Sequence, residues 1–502
     1  MFTSITESPL YHIANPGSIA MFGASNNLTA MGTNLLMSIK AIGFEGPIYP
    51  VHPKENEVLG LRAYSDVKDL PETPDLAVMV LPTRIVSEVL EACGKKGIGS
   101  AIVVTAGFKE VGSDGADMEK EMIRVVRQYG IRLLGPNCIG VANPHGKLNT
   151  TFMEHEGRPG FIGMASQSGS FVTQLFNYLS TYGLGFSTAF SVGNEAVTDI
   201  VDCMEYLAAC PHTKVITLYI EAIRRGRAFM EAARSIVPHK PIVALYVGGS
   251  EAGRRAGFSH TGAMAGPDNL YEDMFKQCGV IRARNVTELF DFSWALGNLP
   301  LPSGRNVIVQ TNSGGPGAAA ADACSRAGLQ LPPLSEKTLE RLGEMVPHTA
   351  SVANPVDTTF TKNPRHYWKE IPEALLDDER CDALLMYLLM PPQNIRRALK
   401  HLGVPEDEVE AKMDKIYSST AASITPLIER YGKPVVGYGF RSMEEPFSKH
   451  LLKNGVTFFP EPERAARALE AVARYAEMRK NLLKNGENAA ENGSELIGKI
   501  PL

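Results

Sequence analysis

Phe161-Ile162-Gly163-Met164-Ala165-Ser166-Gln167-Ser168-Gly169-Ser170-Phe171-Val172-Thr173-Gln174-Leu175 passes from a short apolar run, through serines and one glycine, into apolar residues at helical spacing up to Leu179. The run reads as a buried strand, Ser166 to Ser170 as a turn, and the rest as a helix. Such a junction can seat an anion, because the first helical turn offers free N–H groups, the serines offer hydroxyls, and the dipole is positive there. The same letters also spell an ordinary serine N-cap. The pattern recurs: Asn306 to Gln310 reads as a strand, Thr311-Asn312-Ser313-Gly314-Gly315-Pro316-Gly317 as a turn, and Ala318 to Arg326 as a helix.

Upstream, the rhythm is the same. Ser18 to Phe22, Pro47 to Val51, Leu76 to Leu81, Ala101 to Thr105 and Ile131 to Leu134 read as strands, with helical patterns at Arg84 to Lys95 and Met118 to Tyr129. Alternation of this kind predicts α/β architecture with parallel, doubly wound sheets, whose ligands lie beyond the carboxyl ends of the strands. Small and polar residues cluster there: Gly23-Ala24-Ser25, Pro53-Lys54, Leu81-Pro82, Thr105-Ala106-Gly107 and Gly135-Pro136-Asn137-Cys138. A nicotinamide site fits poorly. No GxGxxG follows the first strand, and the second ends in His52-Pro53-Lys54 rather than in an acid for a ribose diol.

Between the two serine turns, strands are expected at Ser187 to Val192, Val215 to Ile220 and Pro241 to Val247. The second runs into Glu221. The third leads to Gly257-Phe258-Ser259-His260-Thr261-Gly262, where glycines flank one histidine and allow close backbone approach to a bulky anion. A polar surface loop with an incidental histidine is the alternative. Glu221 is a possible partner for one imidazole nitrogen, or simply a capping acid. Beyond Pro300-Leu301-Pro302, strands are expected at Ala383 to Leu389, Pro434 to Tyr438 and Val456 to Phe459. Asn354-Pro355-Val356-Asp357 is assigned to a loop. Helices are expected at Gln393 to Lys412, Lys415 to Tyr431 and Glu461 to Lys480, and the polar end from Lys484 is expected to fray.

Composition narrows the function. The 502 residues carry 50 Lys plus Arg against 55 Asp plus Glu, a net charge of −5, and no basic run, so neither nucleic acid nor an anionic membrane surface is indicated. No apolar run approaches the ~20 residues of a membrane span, and no leader precedes the first strand, which predicts a cytoplasmic protein. The 7 cysteines are scattered and free of CxxC pairs, which argues against disulfides and a zinc site.

In order along the chain, Asn15-Pro16-Gly17-Ser18 leading to Gly23-Ala24-Ser25, Tyr49-Pro50-Val51-His52-Pro53-Lys54, Thr105-Ala106-Gly107-Phe108-Lys109-Glu110, Gly135-Pro136-Asn137-Cys138, Ser166-Gln167-Ser168-Gly169, Ser191-Val192-Gly193-Asn194, Ser259-His260-Thr261-Gly262, Asn312-Ser313-Gly314-Gly315 and Asn354-Pro355-Val356-Asp357 resemble the α subunit of NDP-forming acyl-CoA synthetases, the ADP-forming acetate–CoA ligase group of the succinyl-CoA synthetase superfamily. The likeness spans about Asn15 to Arg479. It implies a Rossmann-like CoA-binding domain at 1–155, a flavodoxin-like domain at 156–300, a second at 301–480, and a polar tail at 481–502.

The resemblance further implies a reversible reaction: acyl-CoA, phosphate and ADP give carboxylic acid, CoA and ATP through an acyl phosphate and a phosphohistidine. His260 then matches the phosphorylated residue and Glu221 the acid that orients it. Ser168, Gly169 and Ser170, with Gly314, Gly315 and Gly317, match the phosphate-holding helix starts. Gly23, Ala24, Ser25, Lys54, Pro82, Asn137 and Cys138 fall in the CoA segments, Cys138 beside the thioester rather than as a nucleophile. The nucleotide and its Mg²⁺ are expected on an ATP-grasp β subunit in an α2β2 assembly. A CoA-sensing regulatory relative of protein acyltransferases is the competing reading. The acyl group, and ADP against GDP, stay open.

Overall fold

A computed structural model describes residues 4–153, 157–253, 266–359, 361, 363 and 365–497, with side chains left out at 177 and 485–497. The described chain forms two compact units, residues 1–180 with 184–285, and residues 181–183 with 286–502.

The first unit holds two large sheets. In the first, β1 (Ile19–Phe22), β2 (Ile48–Val51), β5 (Leu76–Met79), β6 (Ser100–Val103) and β7 (Arg132–Leu134) run parallel in the order β2-β1-β5-β6-β7, beside a small hairpin of β3 (Glu57–Val58) and β4 (Leu61–Arg62). Its central strands bury every side chain, as a sheet covered on both faces must. The strand order reverses at β1, so a crevice opens beyond Phe22, where Gly23 stands.

The second sheet follows the order β14-β13-β12-β10-β11-β8-β9. Its parallel strands are β10 (Ile162–Ser166), β11 (Phe186–Ser191), β12 (Val215–Ile220), β13 (Ile242–Tyr246) and β14 (Ile281–Ala283). β8 (Gly140–Asn143) pairs antiparallel with β11, and β9 (Leu148–Asn149) pairs antiparallel with β8. The chain thus leaves the first sheet at Leu134, turns through Gly135 to Ile139, and enters the second sheet by its far edge.

In the second unit, β15 (Val307–Thr311), β16 (Val356–Asp357), β17 (Ala383–Tyr387), β18 (Val435–Tyr438) and β19 (Phe458–Phe459) form a parallel sheet ordered β16-β15-β17-β18-β19. Val356 and Asp357, assigned to a loop from sequence, are an edge strand: two residues paired with Gln310 and Thr311 are too few to leave a periodic pattern.

Two expected helices are three. Pro392–His401 stops at Gly403, whose φ of 76° is left-handed, and Pro405 caps the next helix, Glu406–Ala422. A further break precedes Pro426 in Thr425–Tyr431. The last helix runs Pro462–Ile497, through the segment expected to fray. Ala489, Ala490 and the surrounding Glu and Lys are good helix formers, and Gly486 and Gly493 are isolated. Arg464 ties this helix to Val286–Asn298 with a two-pronged pair to Asp291 at 2.7 and 2.8 Å.

Candidate functional site

The turn after β10 is held from within. The Ser166 hydroxyl accepts from the Ser168 N–H at 3.1 Å and donates to the Ser168 carbonyl at 2.7 Å, bracketing the residue before the helix Gly169–Thr181. The Ser168 and Ser170 hydroxyl oxygens are 3.4 Å apart. Ser168 is only 8% exposed, whereas Ser170 opens outward. Two neighbouring hydroxyls thus stand at the start of a helix, the kind of donor set an oxyanion needs.

Beside it lies the turn from β7 to β8. Asn137 adopts φ 56°, and its N–H bonds to the Thr105 carbonyl at 2.9 Å. Gly193, φ 58°, lets the loop after β11 close on it: a Cβ there would sit 2.2 Å from the Pro136 oxygen. The Asn194 N–H reaches that oxygen at 2.9 Å. A cavity of about 280 Å³ opens between the two turns, and Asn137, Cys138, Gln167, Gly169 and Ser170 share its wall with Phe152.

Behind the cavity is a charged cluster that motif reading did not assign. The Asn194 amide donates to Glu110 at 2.6 Å and to Glu119 at 3.0 Å, and its oxygen faces the Asn137 amide at 3.2 Å. Lys109 bonds the Asn194 carbonyl and pairs with Glu119 at 3.2 Å. Burial, then the nearby Arg224 charge, lowers the Lys109 pKa against the pull of Glu119. Burial pushes the Glu110 pKa up, but the Asn194 amide and the Gly107 and Phe108 N–H groups outweigh it and hold the acid below its ordinary value. Glu195 is buried and pushed up to about 7 by that burial, against the Arg224 guanidinium 3.8 Å away. Cys138 is buried, donates to the Val103 carbonyl at 3.4 Å and is pushed up to about 12 by burial, which leaves it a poor nucleophile. All 7 cysteines are buried free thiols.

Glu221 directly follows β12 and is 9% exposed. Its N–H bonds to the Gln167 side-chain oxygen at 2.6 Å, which attaches the acid's backbone to the serine turn. His260 lies outside the described residues. Among the described residues, no group of three or more potential ligands could hold a metal ion, and no helix is long and apolar enough to cross a membrane.

At the crevice beyond β1, Gly23 has φ 88°, and a Cβ there would come within 1.9 Å of the Val80 oxygen. Ala24 is buried, and the Ser25 N–H bonds to the Thr33 hydroxyl at 3.1 Å. Lys54 and Pro82 are exposed beyond β2 and β5, on either side of that crevice. These five residues border the crevice and do not line the cavity. In the second unit, Gly314, Gly315 and Gly317 open the helix Gly314–Ala327 directly after β15.

The comparisons agree with this layout. Residues 17–144 match the CoA binding domain model and residues 159–296 the succinyl-CoA ligase like flavodoxin domain model. The chain is 37% identical over 469 residues to the acetate–CoA ligase [ADP-forming] II subunit alpha of Pyrococcus furiosus, covering 93% of this chain and 98% of that one. It is 35% identical over 492 residues to the acetate–CoA ligase [ADP-forming] I of Archaeoglobus fulgidus, covering 97% of this chain and 67% of that one. Among solved structures it resembles the dinucleotide forming acetyl-coenzyme A synthetase 1 of Ca. Korarchaeum cryptofilum in complex with phosphate and ADP, with TM-score 0.83, 34% identity, and 95% and 98% of the two chains covered. No finding favours the regulatory reading. The chain belongs to the ADP-forming acetate–CoA ligase family and is an acyl-CoA synthetase chain of the α-subunit type.

Proposed function

We propose that this chain carries the acyl and phosphohistidine half of a reversible, ADP-forming acyl-CoA synthetase. The supporting observation is the cavity in which Asn137 and Cys138, from the CoA segment, meet Gln167, Gly169 and Ser170, from the serine turn. In this reading the thioester carbonyl and a phosphate ion bind there side by side. A phosphate oxygen attacks the carbonyl, the carbon–sulfur bond breaks, and CoA leaves as its thiolate while an acyl phosphate forms. Helix N–H groups and the Ser168 and Ser170 hydroxyls neutralise the phosphate during attack, and loss of such a donor set costs on the order of 10²- to 10³-fold in rate. An imidazole nitrogen of His260 then takes the phosphoryl group, releasing the carboxylate, and Glu221 steadies the other nitrogen.

CoA is held beyond β1 by Gly23, Ala24, Ser25, Lys54 and Pro82. Gly23 lets the chain turn at φ 88° against the Val80 carbonyl directly after β1, which puts Ala24 and Ser25 at the mouth of the crevice. Gly314, Gly315 and Gly317 supply the second phosphate-holding helix start. ADP and Mg²⁺ bind an ATP-grasp partner subunit in an α2β2 assembly, and the pair works in the cytoplasm. The 1–155, 156–300 and 301–480 segments divide CoA binding, phosphohistidine and second seat among themselves.

Incubating the chain with labelled inorganic phosphate and a series of acyl-CoAs tests the proposal. Acid-labile, base-stable label on His260 is the expected result. His260→Ala abolishes net turnover, and ATP formation from acyl-CoA, phosphate and ADP by that variant would refute the mechanism.

A further inference from the structure

We propose that Gln167 is a positioning residue for Glu221, fixing the acid's turn to the phosphate seat; the idea rests on the role given to Glu221 above. Gln167 is 6% exposed and uses both halves of its amide. Its side-chain oxygen accepts from the Glu221 N–H at 2.6 Å and the Ala222 N–H at 3.0 Å, while its NH₂ donates to the Ala222 carbonyl at 2.7 Å. Its own N–H reaches the Tyr219 carbonyl at 3.2 Å. One side chain thus replaces the ladder bonds that β12 loses where it ends, 54 residues away in sequence.

The rest of the 221–224 turn is pinned independently. The Ile223 N–H bonds to the Tyr271 hydroxyl at 3.0 Å, and Arg224 donates to the Glu195 carbonyl at 3.0 Å. Three consecutive backbone N–H groups therefore end on side chains. Glu221 and Ala222 are buried, so their N–H groups need protein partners, and here one side chain of the serine turn supplies both. A carboxylate that must meet one imidazole nitrogen needs such anchoring, since a displacement of about 1 Å costs about 10²-fold in a positioned reaction. Gln167 also precedes Ser168, so the seat and the acid move as one piece.

Three variants of the intact enzyme decide the matter: Gln167→Met, Gln167→Glu and Glu221→Gln, with circular dichroism confirming the fold. Gln167→Met removes the clamp at similar volume. Gln167→Glu keeps the acceptor and loses the donor, so it reports even if the methionine variant misfolds. Histidine phosphorylation from acyl-CoA and labelled phosphate is expected to fall about 10²-fold in Gln167→Met and by less in Gln167→Glu, with CoA affinity within about threefold of the parent. Combined with Glu221→Gln, the methionine change is expected to add nothing, because both act through one carboxylate. Unchanged phosphorylation in both Gln167 variants, a parallel loss of CoA affinity, or full additivity in the double variant would overturn the inference. A Glu221→Gln enzyme that phosphorylates at the parent rate would instead remove the role of Glu221 itself, and the inference with it.

Discussion

The turns after β10 and β15 are built alike and finished differently. In each, the last strand residue brackets the residue two positions on: Ser166 around Ser168, and Thr311 around Ser313, with bonds of 2.9 Å to the Ser313 carbonyl and 3.1 Å from its N–H. In the first turn Ser166, Gln167 and Ser168 are buried, and Gln167 grips the neighbouring strand's exit. The second is left open, with Ser313, Gly314 and Gly315 exposed and no side chain capping the helix. An acid also stands nearby: a Cβ on Gly314 would lie 3.5 Å from the Asp357 carboxylate. If both turns hold phosphate as proposed, the first is organised before the ligand arrives, whereas the second presents bare N–H groups and lets the ligand complete the shell.

The glycines test this contrast most severely. A Cβ on Gly169 would meet Ile139 Cγ2 at 2.8 Å, while one on Gly315 meets nothing within 4 Å. Gly169→Ala keeps the N–H but pushes the helix start away from Ile139, and should lower acyl phosphate formation by about 10²-fold, as a displacement of about 1 Å does in a positioned reaction. Gly315→Ala should leave it near the parent rate and stabilise its unit by about 0.5–1 kcal/mol. Equal rates in the two variants would erase the distinction.

The hydroxyl brackets come next. Ser166→Ala strands a buried N–H and should cost about 1–3 kcal/mol in thermal unfolding. Thr311→Val should cost about 1 kcal/mol or less, because Ser313 can turn to water.

Behind the closed turn, Glu195 titrates at about 7 when folded against a usual 4.5. The folded state holds that proton more tightly, so its contribution is complete below pH 4.5 and is lost as pH rises to about 7. The unfolding free energy from denaturant titrations should fall over that window by an amount on the order of 1–3 kcal/mol, and Glu195→Gln should flatten the slope. The smallest effect belongs to Asp357→Asn. Removing a negative charge beside an exposed helix start is worth about 0.3–1 kcal/mol, which should tighten phosphate binding by the second unit severalfold in a calorimetric titration. Unchanged affinity would mean that Asp357 does not feel the site.

Both turns were legible because each is local: a β-branched or apolar run, then Ser, Gly and small residues, then helical spacing, all within about 15 residues. The strands were legible for the same reason. What reaches across the chain was not. Gln167 looked like one polar letter among serines, and its partners at Glu221 and Ala222 become neighbours only once β10 and β12 pair. Asn194, Glu110 and Glu119 lie 75 and 84 residues apart in sequence, and a buried charged network leaves no periodicity. Helix ends were missed at Gly403 and Pro426, where an apolar spacing that continues past the break masked it.

The antiparallel pair β8 and β9 carries a practical lesson. Residues 140–149 follow the last strand of the first sheet but are stitched to β11, so the segment that spells a CoA-binding domain ends inside another sheet. A fragment cut at 155 would keep two strands whose hydrogen-bonding partner had been removed, an invitation to clump. One cut at 139 would strip the edge from what remains. Anyone dividing this gene for separate expression should keep residues 1–285 as one piece.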